Sequence, residues 1–375
     1  MSTLTIAPSA KRLATPSARP ALGFFQRRLP VLVILGSFVF LTLPLAILGL
    51  AQPKLLDQWH IGQLYVVVLG TTHFLLTLTI YLQGSNLRYF SSTWKNRALY
   101  FLIPLAIFAF FDLYRTLQLA ILFPIIDVVF RLGIRLFDFQ HFGRQNYGIL
   151  QLFKGRVRLP FPTWMRRAES AYFFSLTALL MLTFLYDGRF SPARLPTWIL
   201  LGVAGCTLLF VVGGFCHAWR RTEQRLALLA PAAYFLLQSG SAAFAIYSSS
   251  LYVLCLAMHY VEYHVVMIPR CFHIRLDEGS RVDRVFRGLR QNRIIFYGGL
   301  VLVAAIASSL TWMAMGYMIA TVQQAPAQSY LALISIFDGL FVFHYFIESL
   351  IWRFSDPYYR QTLGPLYFAP ARNAG

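Results

Sequence analysis

Histidine and carboxylate side chains interrupt several apolar stretches of this chain. A charged side chain at the centre of a bilayer costs roughly 2.5–3.5 kcal/mol on insertion scales, so such residues are retained where they have a partner or a chemical role. They occur in the segments GTTHFLLTL with His73, MHYVEYHVV with His259, Glu262 and His264, and FVFHYFIESL with His344 and Glu348. We take these residues as the first candidates for a functional site.

Two of these segments place a histidine and a glutamate about one helical turn apart. Glu262 follows His259 by three positions and Glu348 follows His344 by four, so each pair shares one face of a helix. Imidazole nitrogen and carboxylate oxygen suit iron, zinc or manganese. Helix bundles bind pairs of metal ions through a histidine and a glutamate on each of two helices. The spacing therefore predicts a metal site.

A further polar stripe lies in the segment DVVFRLGIRLFDFQHFGRQ. At about 100° per residue, one helical arc of about 80° holds Asp127, Arg131, Asp138, His141 and Gln145. The stripe adds one histidine to the predicted metal ligands, which are His73, His141, His259, Glu262, His264, His344 and Glu348. The residues expected to surround and support these ligands are Asp338, Asp138, Arg131 and His217.

The same residues admit three interpretations. In the first they bind one or two metal ions, and iron fits better than zinc because the histidines are accompanied by carboxylates and by no thiolate motif. The four cysteines do not have the close spacing that zinc or iron–sulfur sites use. In the second interpretation the residues form a structural or proton-carrying hydrogen-bond network. In the third a histidine is an axial ligand of haem or a chlorin.

A metal site among aliphatic and aromatic side chains would act on a hydrophobic substrate dissolved in the bilayer, such as a lipid, an isoprenoid or a pigment. Iron with open coordination positions supports hydroxylation, desaturation or oxidative cleavage of an unactivated chain. In ligand chemistry, HYVEYH at 259–264 and HYFIE at 344–348 resemble the histidine clusters of membrane di-iron hydroxylases and desaturases and of membrane carotenoid oxygenases. The chain has no HxxHH-type box, so no residue role is carried over from these enzymes. The pattern predicts a membrane oxidoreductase of lipid metabolism.

Two other functions are open at this point. A non-enzymatic subunit of a membrane complex would use the histidines to hold haem or a pigment. A proton-coupled transporter would use the same residues as a proton relay. Transport is the less favoured of the two, because the glycines at 213, 214, 298 and 299 do not form the matched helix breaks of inverted repeats.

The composition places the candidate residues in a membrane protein. Of the 375 residues, 58% are hydrophobic and 13% are charged, against roughly 45–50% and about 25% in soluble domains. The 33 Lys and Arg against 14 Asp and Glu give a net charge of +19. Nucleic-acid-binding proteins do not carry repeated apolar runs of about twenty residues, so we assign this charge to topology and to anionic lipid headgroups, and exclude nucleic acid as a partner.

Hydropathy predicts an all-α, polytopic helix bundle with about ten membrane spans of roughly twenty residues each. The predicted spans are residues 30–51, 61–83, 98–113, 116–134, 170–186, 195–216, 226–247, 250–268, 294–320 and 329–352. Arg-rich connections alternate with Arg-poor ones along this set, so both termini are expected in the cytoplasm. In this topology the second, eighth and tenth spans run inward. Their histidines and glutamates are then expected at one depth, in the middle or cytoplasmic half of the membrane.

Basic segments flank and connect the predicted bundle of residues 30–352. Residues 1–29 are interpreted as a disordered tail bound to anionic lipid, with an organellar transit peptide as the alternative. Basic cytoplasmic loops are expected at about 135–169 and 269–293, the second as an interfacial helix or a folded loop, and a cytoplasmic tail at 353–375. A bacterial inner membrane or a photosynthetic membrane is the expected location, with an organellar membrane as the alternative. The sequence indicates no oligomeric state.

Overall fold

A computed structural model of the protein confirms the all-α fold class. It describes residues 28–51, 66–117, 124–157, 159–185, 195–247, 252–274, 276, 279–320 and 328–368. Within those ranges the regular elements are helices and no strand is present. Apart from its last two residues, the predicted N-terminal tail at 1–29 lies outside the described part of the chain.

Ten long helices and four short ones make up the described ranges. The long helices are α1 (28–51), α2 (66–82), α4 (Trp94–Thr116), α5 (Pro124–Val157), α6 (Met165–Leu185), α7 (Leu195–Arg221), α8 (Arg225–Tyr247), α9 (Tyr252–His273), α11 (Arg293–Ala320) and α12 (Gln328–Ile351). The short helices are α3 (Gly84–Ser91), α10 (Arg281–Leu289), α13 (Pro357–Thr362) and α14 (Gly364–Tyr367). π-Helical turns occupy Leu35–Thr42 in α1, Val66–Gly70 in α2 and Ala98–Leu102 in α4.

Five helices in the described ranges are long and apolar enough to cross a membrane. They are α4, α7, α8, the Arg293–Thr311 part of α11 and the Ile334–Ile351 part of α12. Helices α1 and α2 contain shorter apolar stretches, Arg28–Val39 and Val68–Leu82. Each of the ten predicted spans overlaps a helix, but in the described part of the chain five helices have the length and composition of a membrane span, fewer than the ten predicted. These helices indicate a membrane protein.

The outward surfaces of α7 and α11 are apolar. Four side chains on these helices are each more than half exposed: Leu209, Phe210, Leu302 and Val303. Only 17% of the most apolar stretch of α7 is buried inside the protein. Soluble monomers rarely expose continuous apolar surface of this extent, whereas lipid chains solvate it. The exposed sides of these two helices are therefore the sides that suit contact with lipid.

Helix α5 is longer than hydropathy predicts. The predicted fourth span ends at residue 134 and a basic loop is expected over 135–169, but the helix runs without interruption to Val157. Beyond residue 134 it keeps a buried apolar stripe, formed by Phe139, Phe142, Ile149, Leu150 and Phe153. The helix continues because apolar packing at helical spacing continues past the charges at which the predicted span ends.

The other two basic segments are also folded. Residues 269–293 contain the end of α9 and the amphipathic helix α10, which begins at a Ser280 N-cap. The region expected as a tail from residue 353 contains α13 and α14, whose Tyr359 and Tyr367 are buried in the core. The C-terminal segment is thus packed against the bundle as far as the structure describes it.

Four long helices, α2, α5, α9 and α12, pack together and run in the same direction. In α2 and α9, His73 lies beside His259, and four residues further along both helices Thr77 bonds to Tyr263. Between α5 and α12, Asp138 contacts Tyr345, and three residues further along both helices His141 contacts Glu348. Between α9 and α12 the pairs are His259 with His344 and, four residues further along both helices, Tyr263 with Glu348. Because contacts advance together in every case, the four helices are parallel.

A buried ion pair joins Lys154 of α5 to Glu169 of α6, and it provides a test of how these two helices pack. Lys154 Nζ lies 2.7 and 2.9 Å from the two Glu169 carboxylate oxygens, and Gln151 donates to the same carboxylate. Glu169→Leu leaves a buried lysine without its partner, so we expect it to lower the free energy of unfolding by about 3–5 kcal/mol. The double variant Lys154→Met/Glu169→Leu is expected to recover most of that loss. Unfolding in detergent micelles measures both, and equal losses in the two variants would contradict the ion pair.

Candidate metal centre

Five side chains from the four parallel helices meet in one buried group. They are His73 of α2, His141 of α5, His259 of α9, and His344 and Glu348 of α12, and we name them the His/Glu cluster. Each of the five is buried, and the rings of His73 and His344 have no exposed surface. The structure thus brings together five of the seven predicted ligands.

The four imidazole rings of the cluster pack directly against one another. The ring centroid of His73 lies 4.3 Å from that of His344 and 4.9 Å from that of His259. The ring centroid of His141 lies 5.0 Å from that of His344 and 5.1 Å from that of His259. The Nε2 atoms of His73 and His344 are 2.7 Å apart. Only one proton fits between these two nitrogens, so one of the rings presents a lone pair there.

The cluster contains two overlapping sets of three possible metal ligands. One set is His73, His141 and His259, and the other is His141, His344 and Glu348. Within each set, one ligand atom per residue lies within 4.8 Å of the other two. Two ligands at about 2.0–2.2 Å from one ion lie at most about 4.4 Å apart, so small side-chain rotations bring either set to bonding distance. Since both sets contain His141, the cluster has the composition for two adjacent ions or for one shared ion.

Three nitrogens of the cluster are buried and make no hydrogen bond to any residue that the structure describes, although one of them, on His141, lies 3.3 Å from a Glu348 carboxylate oxygen. They are His73 Nδ1, His141 Nε2 and His259 Nδ1. Buried polar atoms nearly always have a partner, and leaving one without a partner costs about 1–3 kcal/mol. The three nitrogens belong to the same residues that form the first ligand set. Unprotonated imidazole nitrogens are metal ligands, so a metal ion held by this set is a partner that suits such nitrogens.

Neighbouring side chains fix the orientation of His344 and Glu348. The Thr77 hydroxyl lies 2.6 Å from His344 Nδ1 and 2.7 Å from the Tyr263 hydroxyl. The indole Nε1 of Trp352 donates to Glu348 Oε1 at 3.3 Å. With Nδ1 bonded to Thr77, His344 turns Nε2 toward the cluster. Outer hydrogen bonds of this kind set the tautomer and orientation of metal-binding histidines.

The close approach of α9 to α2 depends on a glycine and on a π-helical turn. A Cβ on Gly70 would lie 2.9 Å from the ring of Tyr260, so a larger residue does not fit unless that ring or α9 moves. Gly70 ends the π-helical turn Val66–Gly70, in which the Leu69 carbonyl accepts a hydrogen bond from His264 Nε2 at 3.1 Å. π-Helical turns occur often at functional sites. Here the turn and the glycine bring the histidines of the two helices into contact.

The other two predicted ligands, Glu262 and His264, lie outside the cluster. Neither belongs to a set of possible metal ligands in the described part of the chain. Glu262 faces α8, where it accepts hydrogen bonds from the Tyr234 hydroxyl at 3.1 Å and from the Gln238 side-chain amide. His264 uses its Nε2 on the backbone of α2. A separation of three residues leaves Glu262 about 60° around the helix from His259. Since α9 is surrounded by several helices, that angle is enough to direct the two side chains to different neighbours.

Asp138 supports the cluster through a tyrosine. It accepts a hydrogen bond from the Tyr345 hydroxyl at 2.6 Å, and its other carboxylate oxygen lies 3.8 Å from Arg135. The Tyr345 ring packs on His141, with a centroid distance of 4.3 Å. Asp138 thus acts on His141 indirectly, through the position of Tyr345.

Two of the other three residues expected to support the ligands, Asp338 and His217, lie away from the cluster. Asp338 pairs with Arg115 at 2.6 Å, which joins α12 to α4. His217 lies on α7 in a surface groove beside Cys216. The side chain of Arg131 falls outside the described part of the chain.

Sequence reasoning missed four residues of this site, and their spacing was the available signal. Each follows a cluster residue by one helical turn or directly: Thr77 after His73, Tyr263 after His259, Trp352 after Glu348, and Tyr345 after His344. Residues four apart share a helical face. A hydroxyl or indole one turn beyond a buried histidine or glutamate is therefore a candidate hydrogen-bond partner.

A cavity of about 890 Å³ adjoins the cluster between α5 and α12. His141 and Glu348 form part of its wall, together with Tyr263 and Tyr345. Ligand-binding cavities in proteins commonly have volumes of about 300–1,000 Å³. A substrate bound in this cavity would contact two of the candidate metal ligands directly.

Comparisons with protein-family models, with curated proteins and with solved structures find no match for this chain. Function is determined by the chemistry of a site and not by the fold that carries it. In this chain the chemistry is that of buried histidines and a glutamate that could hold a metal ion, beside a cavity of ligand size.

Thr77→Val tests the positioning of the cluster. The change keeps the shape of the side chain and removes the hydroxyl that holds His344 Nδ1. Loss of such a hydrogen bond typically lowers metal affinity by about 10–100-fold, and we expect a decrease in that range. The matched control is Thr72→Val, because among the described residues the Thr72 hydroxyl bonds to the Val68 carbonyl of its own helix and to no cluster residue. Titration of the metal-depleted protein with Fe²⁺ or Zn²⁺ measures both variants, and equal affinities would contradict the role of Thr77.

Proposed function

We propose that the protein is an integral membrane oxidoreductase that binds one or two metal ions in the His/Glu cluster and acts on a hydrophobic substrate dissolved in the bilayer. The observation that carries the proposal is the match between the first ligand set and the three buried nitrogens without hydrogen-bond partners. The reactions that fit are hydroxylation, desaturation and oxidative cleavage of an unactivated chain.

The donor set favours non-haem iron. Four imidazoles and one carboxylate, with no thiolate among the cluster residues, suit iron better than the softer metals that prefer sulfur. Iron bound there would supply the activation of oxygen that side chains alone cannot perform. The residues of the chain hold the ligands in place, through Thr77 at His344 and Trp352 at Glu348, and enclose the site in buried apolar surroundings.

Haem or a chlorin fits the cluster less well. A flat macrocycle bound by axial histidines needs a slot between helices that is wide enough for the ring. The imidazole centroids of His73, His259 and His344 lie within 4.3–4.9 Å of the nearest neighbour in the group, which leaves no such slot among them. A bare metal ion needs no slot, so the packing favours it.

We also propose that all ten long helices cross the membrane with both termini in the cytoplasm, in a bacterial inner or photosynthetic membrane. In a chain that crosses a membrane repeatedly, even-numbered spans all run in one direction. The four parallel helices α2, α5, α9 and α12 are the second, fourth, eighth and tenth long helices, which supports this arrangement. The Arg-rich connections would then face the cytoplasm.

Metal content tests the proposed function. We expect the purified protein to contain one or two first-row metal ions per chain. His259→Ala, His344→Ala and Glu348→Ala are each expected to lower that number, because each removes a ligand. Glu262→Gln is the matched control, since its carboxylate is already bonded to Tyr234 and Gln238. Elemental analysis with an absorption spectrum measures all four variants. A metal-free wild type, or equal losses in Glu262→Gln and Glu348→Ala, would contradict the proposal.

A further inference from the structure

The cavity beside the His/Glu cluster has a charged end and an apolar end. Three arginines, Arg144, Arg166 and Arg353, are in its wall, and each has an exposed side chain. Glu348 is the one carboxylate among the wall residues, and it faces the cluster. The wall therefore carries an excess of positive charge, concentrated on the three arginines.

These arginines are not neutralised by acidic side chains in the described part of the chain. None of the three forms an ion pair with a carboxylate there. Arg353 uses its Nε on the Ser349 carbonyl at 2.8 Å, which leaves its terminal nitrogens available. Guanidinium groups in the wall of one cavity repel one another, and a bound anion offsets that repulsion through charge-assisted hydrogen bonds.

Two of the arginines, Arg144 and Arg353, follow cluster residues by about one helical turn. Arg144 follows His141 by three positions on α5, which is about 4.5 Å along the helix axis. Arg353 follows Glu348 by five positions at the end of α12. Because α5 and α12 are parallel, both arginines lie on the same side of the cluster. A bound anion at these arginines would lie close to the candidate metal ligands.

The opposite end of the cavity is apolar. Phe137 lies four residues before His141 on α5, and Val342 lies six residues before Glu348 on α12, so both are on the side of the cluster away from the arginines. Ile107 of α4 completes this end. Phe137 is 60% exposed at the outer surface of the bundle. The cavity thus extends from an apolar outer surface, past the cluster, to a basic end.

We propose that the cavity binds a lipid amphiphile with an anionic headgroup. The headgroup lies among Arg144, Arg166 and Arg353, and the chain passes His141 and Glu348 toward Phe137. The assignment of this amphiphile as the substrate rests on the proposed function. Its binding depends only on the cavity and the arginines. A neutral isoprenoid or pigment would leave the three arginines without a counter-charge, so the amphiphile is the better match.

Quenching of Trp352 fluorescence tests the inference, because Trp352 is part of the cavity wall. The probes are 9,10-dibromostearate, the neutral 9,10-dibromostearyl alcohol with the same chain, and phosphatidic acid with the same brominated chains. Each is titrated into the full-length protein in a non-ionic detergent, and Trp352→Phe identifies the signal from this tryptophan. The two anionic probes distinguish a carboxylate headgroup from a phosphate headgroup.

We expect at least one anionic probe to bind about tenfold more tightly than the alcohol, in line with the summed effect of several exposed charge-assisted contacts. The triple variant Arg144→Gln/Arg166→Gln/Arg353→Gln is expected to abolish this preference. The matched control is Arg167→Gln/Arg284→Gln/Arg360→Gln, which removes the same charge from exposed positions outside the cavity and should retain the preference.

Two results would overturn the inference: equal affinity of the wild type for the acids and the alcohol, or the same loss of preference in both triple variants. The titration is repeated after a chelator has removed any metal, because binding of the amphiphile depends only on the cavity and the arginines. A preference for anionic probes in a protein that proves to be metal-free contradicts the proposed function and leaves the lipid site intact. A metal-containing protein without the preference contradicts the lipid site alone.

Discussion

The burial of four imidazoles and one carboxylate at one level of an apolar bundle is the constraint on which the rest of the structure depends. Each group loses its hydration on burial, and hydrogen bonds or a metal ion must offset that loss. Thr77 does so for one nitrogen of His344. His73 Nδ1, His141 Nε2 and His259 Nδ1 make no hydrogen bond among the described residues, and the group nearest to His141 Nε2 is the Glu348 carboxylate at 3.3 Å. The parallel packing of α2, α5, α9 and α12 is what holds them together.

Other buried polar groups of the protein show that its side chains can satisfy one another. Glu262 lies on the same helix as His259 and receives hydrogen bonds from Tyr234 and Gln238. Lys154 and Glu169 neutralise each other where α5 meets α6. Neither group needs a ligand from outside the chain. Buried nitrogens without hydrogen-bond partners also occur on Gln83 and Arg270. Among the described residues, however, it is the His/Glu cluster that brings three such residues together as possible metal ligands, which favours a metal centre over a purely structural polar network.

The helices and most of the cluster could be predicted from the sequence, because polar residues in apolar segments have few places to lie except against one another. Helical periodicity could not predict that Glu262 contacts α8, since its three-residue spacing from His259 allows the two side chains to share one neighbouring helix or to face two different ones. The end of α5 at Val157 could not be predicted either, because charged residues come before the buried apolar stripe that continues to Phe153. The need for a glycine at position 70 is explained by the close approach of the Tyr260 ring from α9. Each of these features depends on a neighbour that is distant in sequence.

The metal centre is tested most directly by anomalous diffraction from crystals of the natively purified protein, recorded on both sides of the absorption edge of the metal that it contains. The account predicts an anomalous peak about 2.0–2.2 Å from nitrogens of His73, His141 and His259, and a second peak beside His344 and Glu348 where two ions are bound. A cluster without a peak, with these nitrogens bonded to one another or to water, would contradict it.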